Sequence, residues 1–228
     1  CTCAGLSIPV GAPRGSGEPG QEVRDARGVR EVELTGFGNL YVELGEREEL
    51  RIETDANLLR YIESEVQGDR LVIRHRRGIG LRPRLPIEYY LTVQALDAVK
   101  VSGAGNVSLP ELAPEQFSVE ISGAGSIDLE ALRASALSVR ISGAGNLEVL
   151  GGQVASQEIA ISGAGDYRAR ELESDRAVVN LSGLGSATLW AREHLTVNLT
   201  GAGSVRYAGT PTVEKQVTGV GSVGPLGE

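Results

Sequence analysis

Two histidines, two cysteines and a scatter of glutamates are the residues of this 228-residue chain that could do chemistry. His75 and His194 stand far apart, and neither lies at metal-ligand spacing from another histidine or cysteine, so both read as surface residues and no metal is expected. Glu111, Glu130, Glu148 and Glu171 recur at loosely similar places behind a repeated motif. Paired carboxylates on a rigid scaffold can cleave glycosidic bonds, which makes a carbohydrate-binding or polysaccharide-cleaving protein the alternative reading. Acids that recur along an exposed face more often serve solubility, and the expected class is non-enzymatic. The repeated Ser-Gly-Ala-Gly resembles half of a phosphate-binding glycine loop, yet neither a helix nor a basic residue follows it. Among the polar residues that close the repeated motif only Asp166 is acidic, too few for a calcium ladder. No cofactor is expected.

Cys1 and Cys3 are too close in sequence for an easy mutual disulfide. The chain contains no methionine, so residue 1 is expected to be a processed or trimmed end. A leading cysteine followed by a low-complexity stretch, Gly11 to Gln21, resembles a mature bacterial lipoprotein with its acylated cysteine and tether. Cys1 and Cys3 are therefore candidates for lipidation or intermolecular disulfides, and residues 1–28 are expected to be a tail. The apolar start Leu6-Ser7-Ile8-Pro9-Val10 could pack on a neighbouring subunit.

The net charge of −8 repels phosphate backbones, and nucleic acid is not an expected partner. The one basic cluster, Arg74 to Arg84, lacks interleaved aromatics and reads as a solvated loop. No apolar run approaches the roughly 20 residues that span a bilayer, so membrane contact is expected only through a lipid at the N-terminus. Glycine reaches 31 residues while aromatics make up 4%, which disfavours an aromatic-lined pocket.

The elements that must carry these residues follow from a repeat. Ser-Gly-Ala-Gly-Asn begins at Ser102, and its relatives begin at Ser122, Ser142, Ser162, Ser182, Thr200 and Thr218, spaced 20 residues apart and then 18. A cousin, Thr-Gly-Phe-Gly-Asn, runs from Thr35 to Asn39. Around each motif the residues alternate: Phe117, Val119 and Ile121 are apolar between Ser118 and Glu120, and Ile127 and Leu129 flank Asp128. That is strand periodicity on both sides of a corner.

A unit this small cannot bury its apolar face alone, but units stacked in the same N-to-C sense build one continuous interior. The expected fold is all-β: a right-handed parallel β-solenoid of about 18–20 residues per coil with an irregular β cap at its N-terminal end. One domain is expected over 29–228, with cap and N-terminal coils over 29–101 and regular coils over 102–228. The paired corner glycines are Gly103 and Gly105, Gly123 and Gly125, Gly143 and Gly145, Gly163 and Gly165, Gly183 and Gly185, Gly201 and Gly203, and Gly219 and Gly221. Either the corner needs positive φ or neighbouring coils approach too closely there for a Cβ. The closing polar residues, among them Asn106, Asn146 and Asp166, could satisfy corner backbone or stack as a ladder. Glu120 is expected beside Arg140 in the next coil. The last coil shows only Pro225 and Glu228 as deterrents to edge pairing, so end-to-end addition into fibres is a further expectation.

Three segments carry a family resemblance: Thr-Asp-Ala-Asn-Leu-Leu-Arg-Tyr-Ile from Thr54 with Gly-Asp-Arg-Leu-Val-Ile from Gly68, Leu-Pro-Ile-Glu-Tyr-Tyr-Leu-Thr-Val from Leu85, and the Ser-Gly-Ala-Gly array. Over residues 29 to 228 the chain resembles the family of auto-transporter adhesins with a head GIN domain. The resemblance implies a right-handed β-helix at the bacterial cell surface or in the periplasm, with no catalytic residues to carry over. Expected partners are further copies of the chain, or surface glycans and proteins.

Overall fold

The computed structural model describes residues 12–227. Cys1, Cys3 and the apolar stretch 6–10 lie outside them. Twenty strands join in one continuous sheet, and the architecture is a parallel β-solenoid.

The first strands build the N-terminal end: β1 (Pro19–Asp25), β2 (Glu31–Leu34), β3 (Asn39–Leu44), β4 (Glu49–Asp55), β5 (Ile62–Gln67), β6 (Arg70–His75) and β7 (Glu88–Val93). The regular stack follows with β8 (Ala98–Val101), β9 (Asn106–Leu112), β10 (Gln116–Ile121), β11 (Ser126–Ile141), β12 (Asn146–Val149), β13 (Gly152–Ile161) and β14 (Asp166–Ala169). It ends with β15 (Leu172–Leu181), β16 (Ser186–Trp190), β17 (His194–Leu199), β18 (Ser204–Ala208), β19 (Thr212–Val217) and β20 (Ser222–Pro225).

Two columns of parallel strands run the length of the stack. Strands before each glycine corner pair in register, so that Val119, Val139, Ile159, Val179 and Val197 stand above one another. Strands after each corner form the second column, with Val107, Ile127, Leu147, Tyr167, Ala187 and Val205 aligned. Every one of these residues is buried. A fully buried aliphatic side chain contributes roughly 1.5–3 kcal/mol, so each added coil extends the core by the same layer.

The N-terminal end departs from simple winding. The coil made by β2 and β3 lies between two others: β2 pairs with β6 on one side and β8 on the other, and β3 likewise with β7 and β9. The chain thus leaves its first coil, builds the end of the stack with residues 45–93, and returns to continue on the opposite face. The end is closed by antiparallel strands, β5 on β6, β4 on β7, and β1 on β4. β1 includes the last part of the low-complexity stretch, so within the described residues that stretch joins the sheet instead of hanging free.

At the other end β19 and β20 each pair on one side only. Lys215 occupies the inward register position above Val197. An inward charge on an edge strand discourages further pairing, and it adds to Pro225. Stacking copies end to end would set this parallel edge, with its lysine, against an antiparallel one.

Candidate functional site

The glycine corners are the most repeated feature, and their geometry explains the residue type. A Cβ built on Gly103, Gly123, Gly143, Gly163, Gly183, Gly201 or Gly219 would lie closer than 3.0 Å to the carbonyl oxygen of the corresponding glycine one coil earlier. The second glycines, Gly105, Gly125, Gly145, Gly165, Gly185, Gly203 and Gly221, meet the preceding corner's carbonyl equally closely. None of the fourteen has positive φ, so close approach is the reason and the alternative of a left-handed backbone falls away. The approach lets the apex amides of the first six corners donate to the neighbouring coil, as in Ala124 N to Gly103 O (3.0 Å) and Ala164 N to Gly143 O (2.9 Å).

The residues that close the corner form a ladder of their own. Asn106 Oδ1 accepts from Ser126 N at 3.3 Å, Asn146 Oδ1 from Asp166 N at 3.1 Å, and Asp166 Oδ1 from Ser186 N at 3.0 Å and Ser186 Oγ at 2.7 Å. Such bonds satisfy backbone donors where the sheet bends.

The residues singled out for chemistry do not converge. Glu111 is ion-paired with Arg133 at 3.0 Å and Glu171 with Arg170 at 3.6 Å. Glu130 is exposed, and Glu148 lies in register with Asp128 and Arg168. None of these four glutamates lines the three larger surface concavities. Among the described residues, no group of three or more His, Cys, Asp or Glu side chains is placed to hold a metal ion. Glu120 and Arg140 are register partners, but the ion pair that Glu120 forms is with Lys100, at 3.4 Å.

His194 is exposed, whereas His75 is not the surface residue expected. Its ring lies against Gly36, packs edge-on to Phe37 with centroids 4.4 Å apart, and places Nε2 3.2 Å from Tyr89 Oη. Burial pushes the His75 imidazole below its ordinary value and the Tyr89 phenol above its own. The corner column therefore ends on an aromatic plug, and Phe37 in place of alanine at the apex was the signal for it.

Two polar clusters escaped the sequence reading. Asp55 is fully buried, and its carboxylate accepts from Gly17 N (2.6 Å), Arg84 N (2.8 Å) and Leu85 N (3.0 Å). Burial raises its pKa, but the three backbone donors and the nearby Arg84 charge outweigh that, and the net shift is downward. Within the regular stack, Gln157 stands where Phe117 and Leu137 stand in earlier coils. Its Oε1 accepts from Tyr167 Oη at 2.7 Å, and its Nε2 donates to Ser174 Oγ at 2.8 Å and Trp190 O at 3.1 Å.

The outer face of the first column bears a trough of about 630 Å³ that crosses successive coils. Its floor is made of small outward residues, including Ala98, Ser118, Ser138 and Ser156. Glu31 and Asp97 lie toward one end, Glu158 and Arg176 toward the other. The volume falls within the range of small-ligand sites, but hydroxyls and separated charges supply hydrogen bonds without a convergent acid and base.

The fold is thus a continuous parallel solenoid of stacked repeats with a shallow trough of mixed polar and apolar lining along its flank. The chain belongs to the family described as "Putative auto-transporter adhesin, head GIN domain", which matches residues 29–211. The fold is shared with a crystal structure of a "putative adhesin" from Bacteroides fragilis, at 22% identity and a TM-score of 0.89 over 94% of this chain and 100% of that one. A "putative lipid binding protein" from Parabacteroides distasonis is similar at 21% identity and TM-score 0.77, over 94% and 99% of the two chains. A "putative adhesin" from Parabacteroides merdae gives 18% identity and TM-score 0.68, over 94% and 99%. No curated protein matches.

Proposed function

We propose that this protein is a non-enzymatic adhesive element of the bacterial envelope, held there through its N-terminal segment, with Cys1 as the acylated residue, and binding surface polysaccharide along the flank of the solenoid. The observation that carries the reading is the trough across the first column. Ala98, Ser118 and Ser138 stand in one register row and Ala136 and Ser156 in the next, so the repeat itself sets a line of small outward positions about 4.8 Å apart, methyl or hydroxyl in character. Such a line offers an extended polymer the same shallow contact many times, and weak contacts gain strength by repetition.

Filling the floor tests it. Ser138→Arg and Ser118→Arg place bulky side chains in the trough, from a half-buried and an exposed strand position. Binding to a glycan array and to intact cells is expected to drop at least tenfold in the double variant, with folding unchanged by circular dichroism. Unaltered binding, or release of reducing ends from any bound polysaccharide, overturns the reading. The mass of the native N-terminal peptide separately decides whether Cys1 carries acyl chains.

A further inference from the structure

Residues 12–17 and the loop 76–84 lie side by side at the N-terminal end of the stack. Gly15 N donates to Arg82 O at 2.9 Å, Arg82 N to Pro13 O at 3.0 Å, and Arg84 Nη1 to Ser16 O at 3.3 Å. Asp55 and Asn57 pin the first segment from below: Gly17 N and Ser16 N donate to their side chains, and Asn57 Nδ2 donates to Arg14 O at 2.8 Å. The two segments contain no acidic residue, in a chain with 30 acidic residues against 22 Lys and Arg.

Arg14, Arg76, Arg77, Arg82 and Arg84 are all exposed there. Arg76 shares Glu63 with Arg74, at 3.5 Å, whereas Arg14, Arg77 and Arg82 enter no ion pair among the described residues. Besides Glu63 at Arg76, the carboxylate that reaches into the cluster is that of Asp55, whose oxygens are occupied by backbone N–H groups. A pinned backbone thus presents guanidinium groups at the end of the molecule from which the chain runs toward residue 1.

We propose that this end is a docking surface for a membrane rich in anionic phospholipid, with the arginines contacting headgroup phosphates. Guanidinium groups match phosphate oxygens through paired hydrogen bonds. The remainder of the body carries the excess negative charge, so the same surface that attracts the arginines repels the rest and the solenoid stands away from it. The eleven residues ahead of this segment reach at most about 40 Å when extended, which keeps the basic end near any anchor at the start of the chain. The inference rests on the envelope location in the proposed function, but not on a lipid at Cys1 or on glycan binding.

The test uses the full chain with Cys1→Ser, so that no acyl chain contributes. It is sedimented with vesicles of phosphatidylcholine alone and of phosphatidylcholine mixed with phosphatidylglycerol. Binding is expected to be at least tenfold stronger to the anionic vesicles and to weaken as salt is raised. Each arginine near an anionic surface is worth roughly a fivefold change in partitioning, so Arg14→Ala, Arg77→Ala and Arg82→Ala together lower it roughly a hundredfold. Equal binding to both vesicle types overturns the proposal, as does a triple variant that binds like the parent. Retention on heparin without binding to the anionic vesicles also overturns it, in favour of a soluble polyanion.

Discussion

Residues 102–226 and residues 12–93 obey the same strand geometry but solve the problem of closure by different means. The regular stack is held by what is missing: at each corner two glycines let one backbone touch the next. The N-terminal end is held by what is added, the aromatic plug of His75 and Phe37, the Asp55 clamp and three antiparallel strands. A repeat can extend an existing edge indefinitely, but it carries no instruction for starting one. The start has to be written in residues that occur once.

The sharpest way to break this comparison is to place a methyl group in the middle of the corner column. Gly143→Ala forces a Cβ against Gly123 O while coils press from both sides, and is expected to cost about 3 kcal/mol or more. That lowers the thermal midpoint by roughly 6–12 °C for a chain of this size. Gly219→Ala creates the same contact with Gly201 O in the last coil, which can move outward, and is expected to cost about 1 kcal/mol. Equal losses in thermal unfolding would show that the corners do not act as a stack.

The clamp comes next. Asp55→Ala leaves the N–H groups of Gly17, Arg84 and Leu85 without their acceptor, an expected loss of about 2–3 kcal/mol. Limited proteolysis should then cut near residues 13–18 first. The pH dependence has a definite sign. Because the folded-state pKa of Asp55 is lowered, its contribution is fully present above the unfolded-state value of about 3.9 and is lost as pH falls through the folded value. Urea midpoints of the parent should decline more steeply on acidification below about pH 4 than those of Asp55→Asn.

A smaller effect than that of the clamp lies inside the regular stack, where Gln157 is an exception to its own column. Gln157→Leu restores the apolar type found at Leu137 but strands the Tyr167 hydroxyl, at about 1–2 kcal/mol. Adding Tyr167→Leu, to match Leu147, should recover most of it. Chemical denaturation of the single and double variants measures the difference. If the double variant is no better than the single, Gln157 does more than satisfy its neighbours.

The distribution of what could be read from the sequence follows the same divide. Alternation around Ser-Gly-Ala-Gly recurs seven times, so the parallel columns, their register and the inward residues are legible from pattern alone. The arrangement at the N-terminal end is not, because the contacts that define it join Leu34 to Ile73 and to Val101 without any repeated motif. Asp55 looks like any strand-end aspartate until the loop at Arg84 and the glycine at 17 are folded onto it. Gln157 and Lys215 were open to detection, since each breaks a column of apolar residues at a position that the period defines. The trough depends on which outward side chains are small, a property that acquires meaning only once coils are aligned.

The interleaved first coil also makes the two ends mechanically unequal. Force applied at the C-terminus can strip coils one at a time, since each terminal coil is bonded on a single side. Force applied through the N-terminal segment first peels β1 from its one partner, β4, and then meets a coil gripped by neighbours above and below, where both ladders must rupture together. Under the proposed N-terminal anchoring, tension would run into the interleaved coil, whereas a pull on the other end would meet coils held on one side.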